Sequence, residues 1–157
     1  MNKLGITSFQ RIQEIEYNLF NTKYHMIDET YTFDEEEIFN IKYLERLHLF
    51  LFNDIYDMKY CKIREEIPKE EVNKKLEELK YLLIAKEIEK IKTIIYEIWE
   101  YQIFYDGNTR TLLCFLKILS KVYDFNITYD FTKDIDKDYF INDIINSIKT
   151  KFVKKKR

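Results

Sequence analysis

The sequence predicts an all-α protein, and three observations carry that prediction. Apolar residues recur at helical spacing through much of the chain: Ile12, Ile15, Leu19 and Phe20; then Ile38, Ile41, Leu44, Leu47 and Leu51; then Leu83, Ile84, Ile88, Ile91, Ile95 and Ile98. The run from Leu112 to Leu119 is apolar almost all round, the mark of a helix at the centre of a bundle. No internal repeat or low-complexity linker divides the 157 residues, and 46% of them are hydrophobic, enough for a single core.

In chain order, Ser8 is placed to cap the first helix. Asp34 caps a second, with Glu35, Glu36 and Glu37 at the positive end of its dipole and Ile38 to Leu51 as its buried stripe. The chain turns at Asn53-Asp54. Pro68, the only proline, stands at the first position of a charged helix from Glu70 to Lys80, whose apolar seam is Val72, Leu76 and Leu79. Another helix, Leu82 to Trp99, runs up to the stretch Gln102-Ile103-Phe104-Tyr105-Asp106-Gly107-Asn108-Thr109-Arg110. Beyond the apolar helix, Phe125 to Phe131 alternates weakly, as extended chain does, and a last helix is expected over Asp138 to Phe152. A single domain thus covers residues 1–153, and residues 154–157, three lysines and an arginine, form a solvated basic tail.

Several function classes drop out on composition. A net charge of −2 gives no electrostatic footprint for nucleic acid. Cys61 and Cys114 are far apart and carry no metal spacing, so they read as reduced thiols. The N-terminus resembles no signal peptide and no long uncharged apolar stretch is present, which predicts a cytoplasmic protein with no membrane partner. Histidine is the usual general base, but both histidines, His25 and His48, lie far from the stretch 102–110 and read as structural.

That stretch is where chemistry is expected. One of only two glycines in the chain lies there, between an acid and an asparagine, immediately ahead of the apolar helix. Glycine reaches positive φ without steric cost and permits close approach of backbone to a ligand. The first amides of a helix lack internal acceptors and the dipole favours anions there, so Gly107, Asn108 and Thr109 can present N–H groups to a phosphate. Asp106 suits Mg²⁺ beside a polyphosphate, and Arg110 suits phosphate oxygens. On the residues alone, Asp-Gly-Asn also serves as an ordinary turn followed by a helix cap.

The stretch resembles the signature loop of the Fic family, H-P-F-x-(D/E)-G-N-(G/K)-R-x-x-R, with Phe104, Asp106, Gly107, Asn108 and Arg110 in register. The resemblance extends along the chain. It includes Leu4-Gly5-Ile6-Thr7, Phe33-Asp34, Leu47-His48, Leu51-Phe52-Asn53-Asp54-Ile55-Tyr56, Ile63-Arg64 and Val122-Tyr123-Asp124-Phe125, in the family's order. It implies a Fic-like helical bundle with a phosphate-binding loop before a central buried helix. It also implies transfer of AMP from Mg²⁺-ATP to a hydroxyl of a target protein, with the loop histidine as base, the acid for Mg²⁺, and the loop backbone and arginines for phosphate.

Several departures from the family pattern bear on activity. Gln102 stands where the family has its catalytic histidine, and an amide takes up no proton near neutral pH. Leu113 replaces the second arginine, and Thr109 replaces the second loop glycine. Only Glu65-Glu66-Ile67 occupies the place of the β-hairpin flap that receives target backbone, so the flap is expected to be short or absent. Three functions follow: nucleotide binding with weakened or lost transfer, transfer by an altered mechanism, or a regulatory interaction module with a vestigial loop.

Overall fold

The run after Gly107 forms the helix around which the others pack. In the computed structural model, which describes residues 2–30, 35–123, 125–127 and 148–150, this helix is α6 (Asn108–Val122). Leu113, Cys114, Phe115, Leu116 and Leu119 are completely buried, each burial of a large apolar side chain being worth about 1.5–3 kcal/mol. The earlier helices are α1 (Phe9–Thr30), α2 (Glu35–Ile38), α3 (Ile41–Phe52), α4 (Lys69–Ala85) and α5 (Ile88–Glu100). α6 packs against α1, α3 and α5, while α4 lies along α5 and touches α3. Two α6 lysines secure α1 by its C-terminal carbonyls, Lys117 Nζ donating to Tyr24 O at 2.7 Å and Lys121 Nζ to Ile27 O at 3.0 Å.

The all-α class stands, with boundaries that differ from expectation in four places. The helix expected from Asp34 is two, because Asn40 is extended (φ −144°, ψ 143°) and its side chain accepts from the Lys42 amide, capping α3 afresh. Asn73 of α4 strengthens that break by accepting from Ile41 N at 2.8 Å. Asp34, the expected cap, lies outside the described residues. Pro68 is the cap residue before α4 and not its first helical residue. The charged helix runs on to Ala85, where Lys86 turns left-handed (φ 61°) and the amides of Lys86 and Glu87 close back on Leu83 and Leu82.

The fourth difference is at the C-terminal end. Residues 148–150 are strand, not part of a helix over Asp138 to Phe152: β1 (Phe125–Ile127) pairs antiparallel with β2 (Ile148–Thr150), Ile127 opposite Ile148. β-branched residues flanking a lysine suit a ladder, and β1 offers one. The extended reading of the chain after Phe125 holds for its first three residues; the rest of that expected helix and the basic tail lie outside the described residues.

Candidate functional site

α5 delivers the chain to the loop, and Gln102 makes the corner. Its φ is +47°, unusual for a residue with a side chain, and its amide is engaged at both ends. Nε2 donates to Trp99 O at 2.9 Å, closing the end of α5, and Oε1 accepts from Asn108 Nδ2 at 3.3 Å. Gln102 is therefore a strut of the loop. The side chain of Asn108 is one too: it donates to Phe104 O at 2.8 Å and accepts from Phe104 N at 2.9 Å.

Gly107 is left-handed (φ +77°) and forms the cap from which α6 starts. Its own N–H donates to Asp106 Oδ1 at 2.8 Å. Its carbonyl accepts from Thr111 N at 3.0 Å and from Thr111 Oγ1 at 2.8 Å, which fixes the first turn. The amides of Asn108, Thr109 and Arg110 follow, with no acceptor inside the helix. The half-buried Thr109 turns its hydroxyl away to accept from Trp99 Nε1 at 2.9 Å. The extra side chain at this position thus packs against α5.

Polar residues from distant parts of the chain surround this helix start. Arg110 Nη1 lies 3.2 Å from Glu16 Oε2 of α1, a buried carboxylate that also accepts from the Tyr56 hydroxyl. Tyr56 stacks on Tyr60, ring centroids 4.0 Å apart, and the Asp106 carboxylate lies close enough to Tyr60 to act on its phenol. Burial first, and then the neighbouring carboxylates, hold both phenols above their ordinary pKa, so neither is a phenolate near neutral pH. Asp106 is half-buried. Its carboxylate stands at the rim of the helix start, with Oδ1 on the Gly107 N–H.

His48 lies beneath the loop, completely buried, with its ring 4.2 Å from that of Phe104. Its Nε2 donates to Asp106 O at 2.7 Å, while Nδ1 is buried without a partner. Burial lowers its pKa to about 4, the Asp106 hydrogen bond opposing only in part. The reading of His48 as structural agrees with this geometry, and His25 is exposed on α1.

Where a flap was expected to be missing, the chain from Arg64 to Lys69 contains no strand and closes on the loop itself. Arg64 N donates to Ile103 O at 2.9 Å, and Arg64 Nη1 donates to Gln102 O at 2.6 Å. Glu66 steadies that guanidinium. A cavity lined by Leu44, Ile98, Trp99, Ile103 and Phe104 lies behind the loop and holds about 20 Å³, room for one water and not for a nucleotide.

This arrangement, a central buried helix entered through a glycine turn with α1, α3 and α5 packed on it, is the fold this chain shares with solved Fic-domain structures. It is similar to the crystal structure of BepC, a VirB-translocated effector protein from Bartonella tribocorum with bound AMPPNP. The TM-score is 0.68 at 12% identity, over 96% of this chain and 92% of that one. The N-terminal Fic domain of a VirB-translocated Bep effector from Bartonella quintana is similar too, with a TM-score of 0.61 and 16% identity over 98% of this chain and 89% of that one. No protein-family model and no curated protein sequence matches the chain.

Glu16, Tyr56, Tyr60 and Arg64 are the site residues that sequence reasoning passed over in these roles. Each is an ordinary polar residue within its own segment. Only the pattern match at Tyr56 and Arg64 gave a signal.

Proposed function

We propose that this protein binds a nucleotide as its magnesium complex at the start of α6, and that it has lost, with the loop histidine, the AMP transfer implied by resemblance to Fic domains. The carrying observation is the division of labour in the loop. The amides of Asn108, Thr109 and Arg110 stand at the N-terminus of a rigidly buried helix, while Gln102, in the position of the base, is engaged on both sides by its own loop. AMPPNP bound to BepC supports a nucleotide as the ligand class.

Charge explains why the metal belongs to the reading. Two carboxylates, Glu16 and Asp106, and one guanidinium, Arg110, which pairs with Glu16, act together on Tyr56 beside the helix start, so a bare polyphosphate meets more negative than positive charge from these three groups. Among the described residues no group of three or more His, Cys, Asp or Glu could hold a metal ion, and Mg²⁺ needs none, since one carboxylate with substrate phosphates suffices. Asp106 would hold it. The ion supplies charge neutralisation between phosphate oxygens. The helix amides bind and orient oxyanions, and Arg110 exchanges Glu16 for phosphate when ligand enters. The cytoplasm, where Mg²⁺-ATP is abundant, is the compartment this reading suits; no described helix is long and apolar enough to cross a membrane.

Loss of transfer rests on the residues available. His48 is enclosed and committed to a carbonyl, both tyrosines are held protonated, and the amide of Gln102 accepts no proton. A positioned base contributes about 10²–10⁴-fold. Calorimetric titration is expected to give binding heat with Mg²⁺-ATP, none without Mg²⁺, and none with Asp106→Ala. Labelled ATP incubated with the protein and a cell lysate is expected to label nothing, whereas Gln102→His raises labelling; a labelled target with the unaltered protein overturns the loss of transfer. A second reading, an interaction module with a vestigial loop, is favoured by the Arg110–Glu16 pair, which already satisfies the arginine. Absence of heat with Mg²⁺-ATP selects it.

A further inference from the structure

His48 is a poor choice for packing alone. Its ring lies among Phe52, Tyr60 and Phe104, with centroids at 4.6, 5.9 and 4.2 Å, surroundings in which a phenyl ring would fit without burying a nitrogen that has no partner. What phenylalanine lacks is a donor. His48 applies its donor at one place, Nε2–H to the carbonyl of Asp106, 58 residues away in sequence. That carbonyl belongs to the peptide plane joining Asp106 to Gly107, directly ahead of the amides that open α6.

The rest of the loop is held by other groups. Arg64 grips the carbonyls at its start, Gln102 O by side chain and Ile103 O by backbone, and the Asn108 side chain ties both backbone groups of Phe104. The Asp106–Gly107 plane is held on its N–H side by Asp106 Oδ1 and on its carbonyl side, from beneath, by His48. The approach is tight: a Cβ on Gly107 would stand 3.2 Å from His48 Nε2 and 2.5 Å from Phe52 Cε2. Rotation of this plane would turn the left-handed glycine and swing the following amides away from a common point.

We propose that His48 is the positioning residue of the anion site, holding the Asp106 carbonyl so that the amides of Asn108, Thr109 and Arg110 converge on one oxyanion. This inference rests on the nucleotide-binding reading for its ligand, but not for its geometry. A packing role and a positioning role predict opposite orders for two substitutions. His48→Phe keeps the ring and removes the donor; His48→Gln keeps a donor at the reach of Nε2 and removes the ring.

The experiment measures melting temperature, Mg²⁺-AMPPNP affinity and the backbone amide spectrum of the ligand-free protein for both variants. The expected result is that His48→Phe melts at or above His48→Gln yet binds roughly five- to tenfold more weakly than the unaltered protein, the worth of one hydrogen bond. His48→Gln is expected to recover most of that affinity. In the ligand-free spectra, Gly107 to Arg110 shift and exchange faster in His48→Phe, while amides of α4 stay in place. Affinity that follows melting temperature, or amides of 107–110 unmoved by His48→Phe, overturns the proposal. Should His48→Gln fail to fold, His48→Phe decides alone. Should neither fold, the imidazole nitrogen spectrum of the unaltered protein decides, since protonation at Nδ1 in place of Nε2 excludes the bond. If the unaltered protein binds no nucleotide, the functional reading fails, and the ligand-free amides still judge His48.

Discussion

A methyl group on Gly107 would stand 2.5 Å from Cε2 and 2.6 Å from Cζ of Phe52, on a backbone already at φ +77°. Gly107→Ala is therefore expected to cost about 2–5 kcal/mol, combining left-handed strain of about 1–2 with overpacking of about 1–3. Urea unfolding measures it, and a midpoint within error of the unaltered protein would show that Phe52 yields freely. The need for glycine here was legible, because residue type and its place ahead of an apolar run are local facts. The ring that enforces it was not, since Phe52 belongs to α3 and nothing in the loop points to it. Gln102 divides the same way. Its failure as a base follows from amide chemistry, whereas its work as a strut between Trp99 and Asn108 depends on a corner at φ +47°.

Periodicity located the helices and misplaced their ends. The apolar stripe continues across Asn40, so a single helix was expected; Asn40 and Asn73 together supply acceptors that make a new helix start more favourable. The α4–α5 junction was expected near Tyr81 and lies at Lys86, because its left-handed residue is a lysine, where a glycine would have announced it. A side chain in that conformation costs about 1–2 kcal/mol, so Lys86→Gly is expected to stabilise the protein by about 1 kcal/mol, offset in part by the greater freedom of glycine when unfolded. Thermal unfolding reads the change as a rise of a few degrees. A lowered melting temperature would mean that lysine side-chain contacts outweigh the strain. The strand at 148–150 was not legible at all, since a three-residue strand exists only through its partner.

At the scale of the molecule, one core built on α6 holds both the helices and the loop, so titration beneath the loop is felt as global stability. The ordinary pKa of 6.5 for His48 falls to about 4 in the folded protein through burial. Above pH 6.5 the ring is neutral whether the chain is folded or not, and it contributes no pH dependence. As the pH falls from there, only the unfolded chain takes up the proton, so stability declines until about pH 4, where the folded ring also charges. The decline attributable to this group is about 3 kcal/mol. Comparing unfolding free energies at pH 7 and 4.5 is expected to give a shallower decline for His48→Phe than for the unaltered protein. Equal declines would assign the acid sensitivity to other groups.

By itself the sequence determined the all-α class, the central buried helix and the glycine turn before it, because each is written in residue type and short-range spacing. Tertiary structure alone decided which side chains meet at that turn. Arg110 finds Glu16 at a separation of 94 residues and His48 finds the Asp106 carbonyl at 58. Such pairings depend on how helices pack, and packing is a property of the whole set of apolar faces, which no single segment carries.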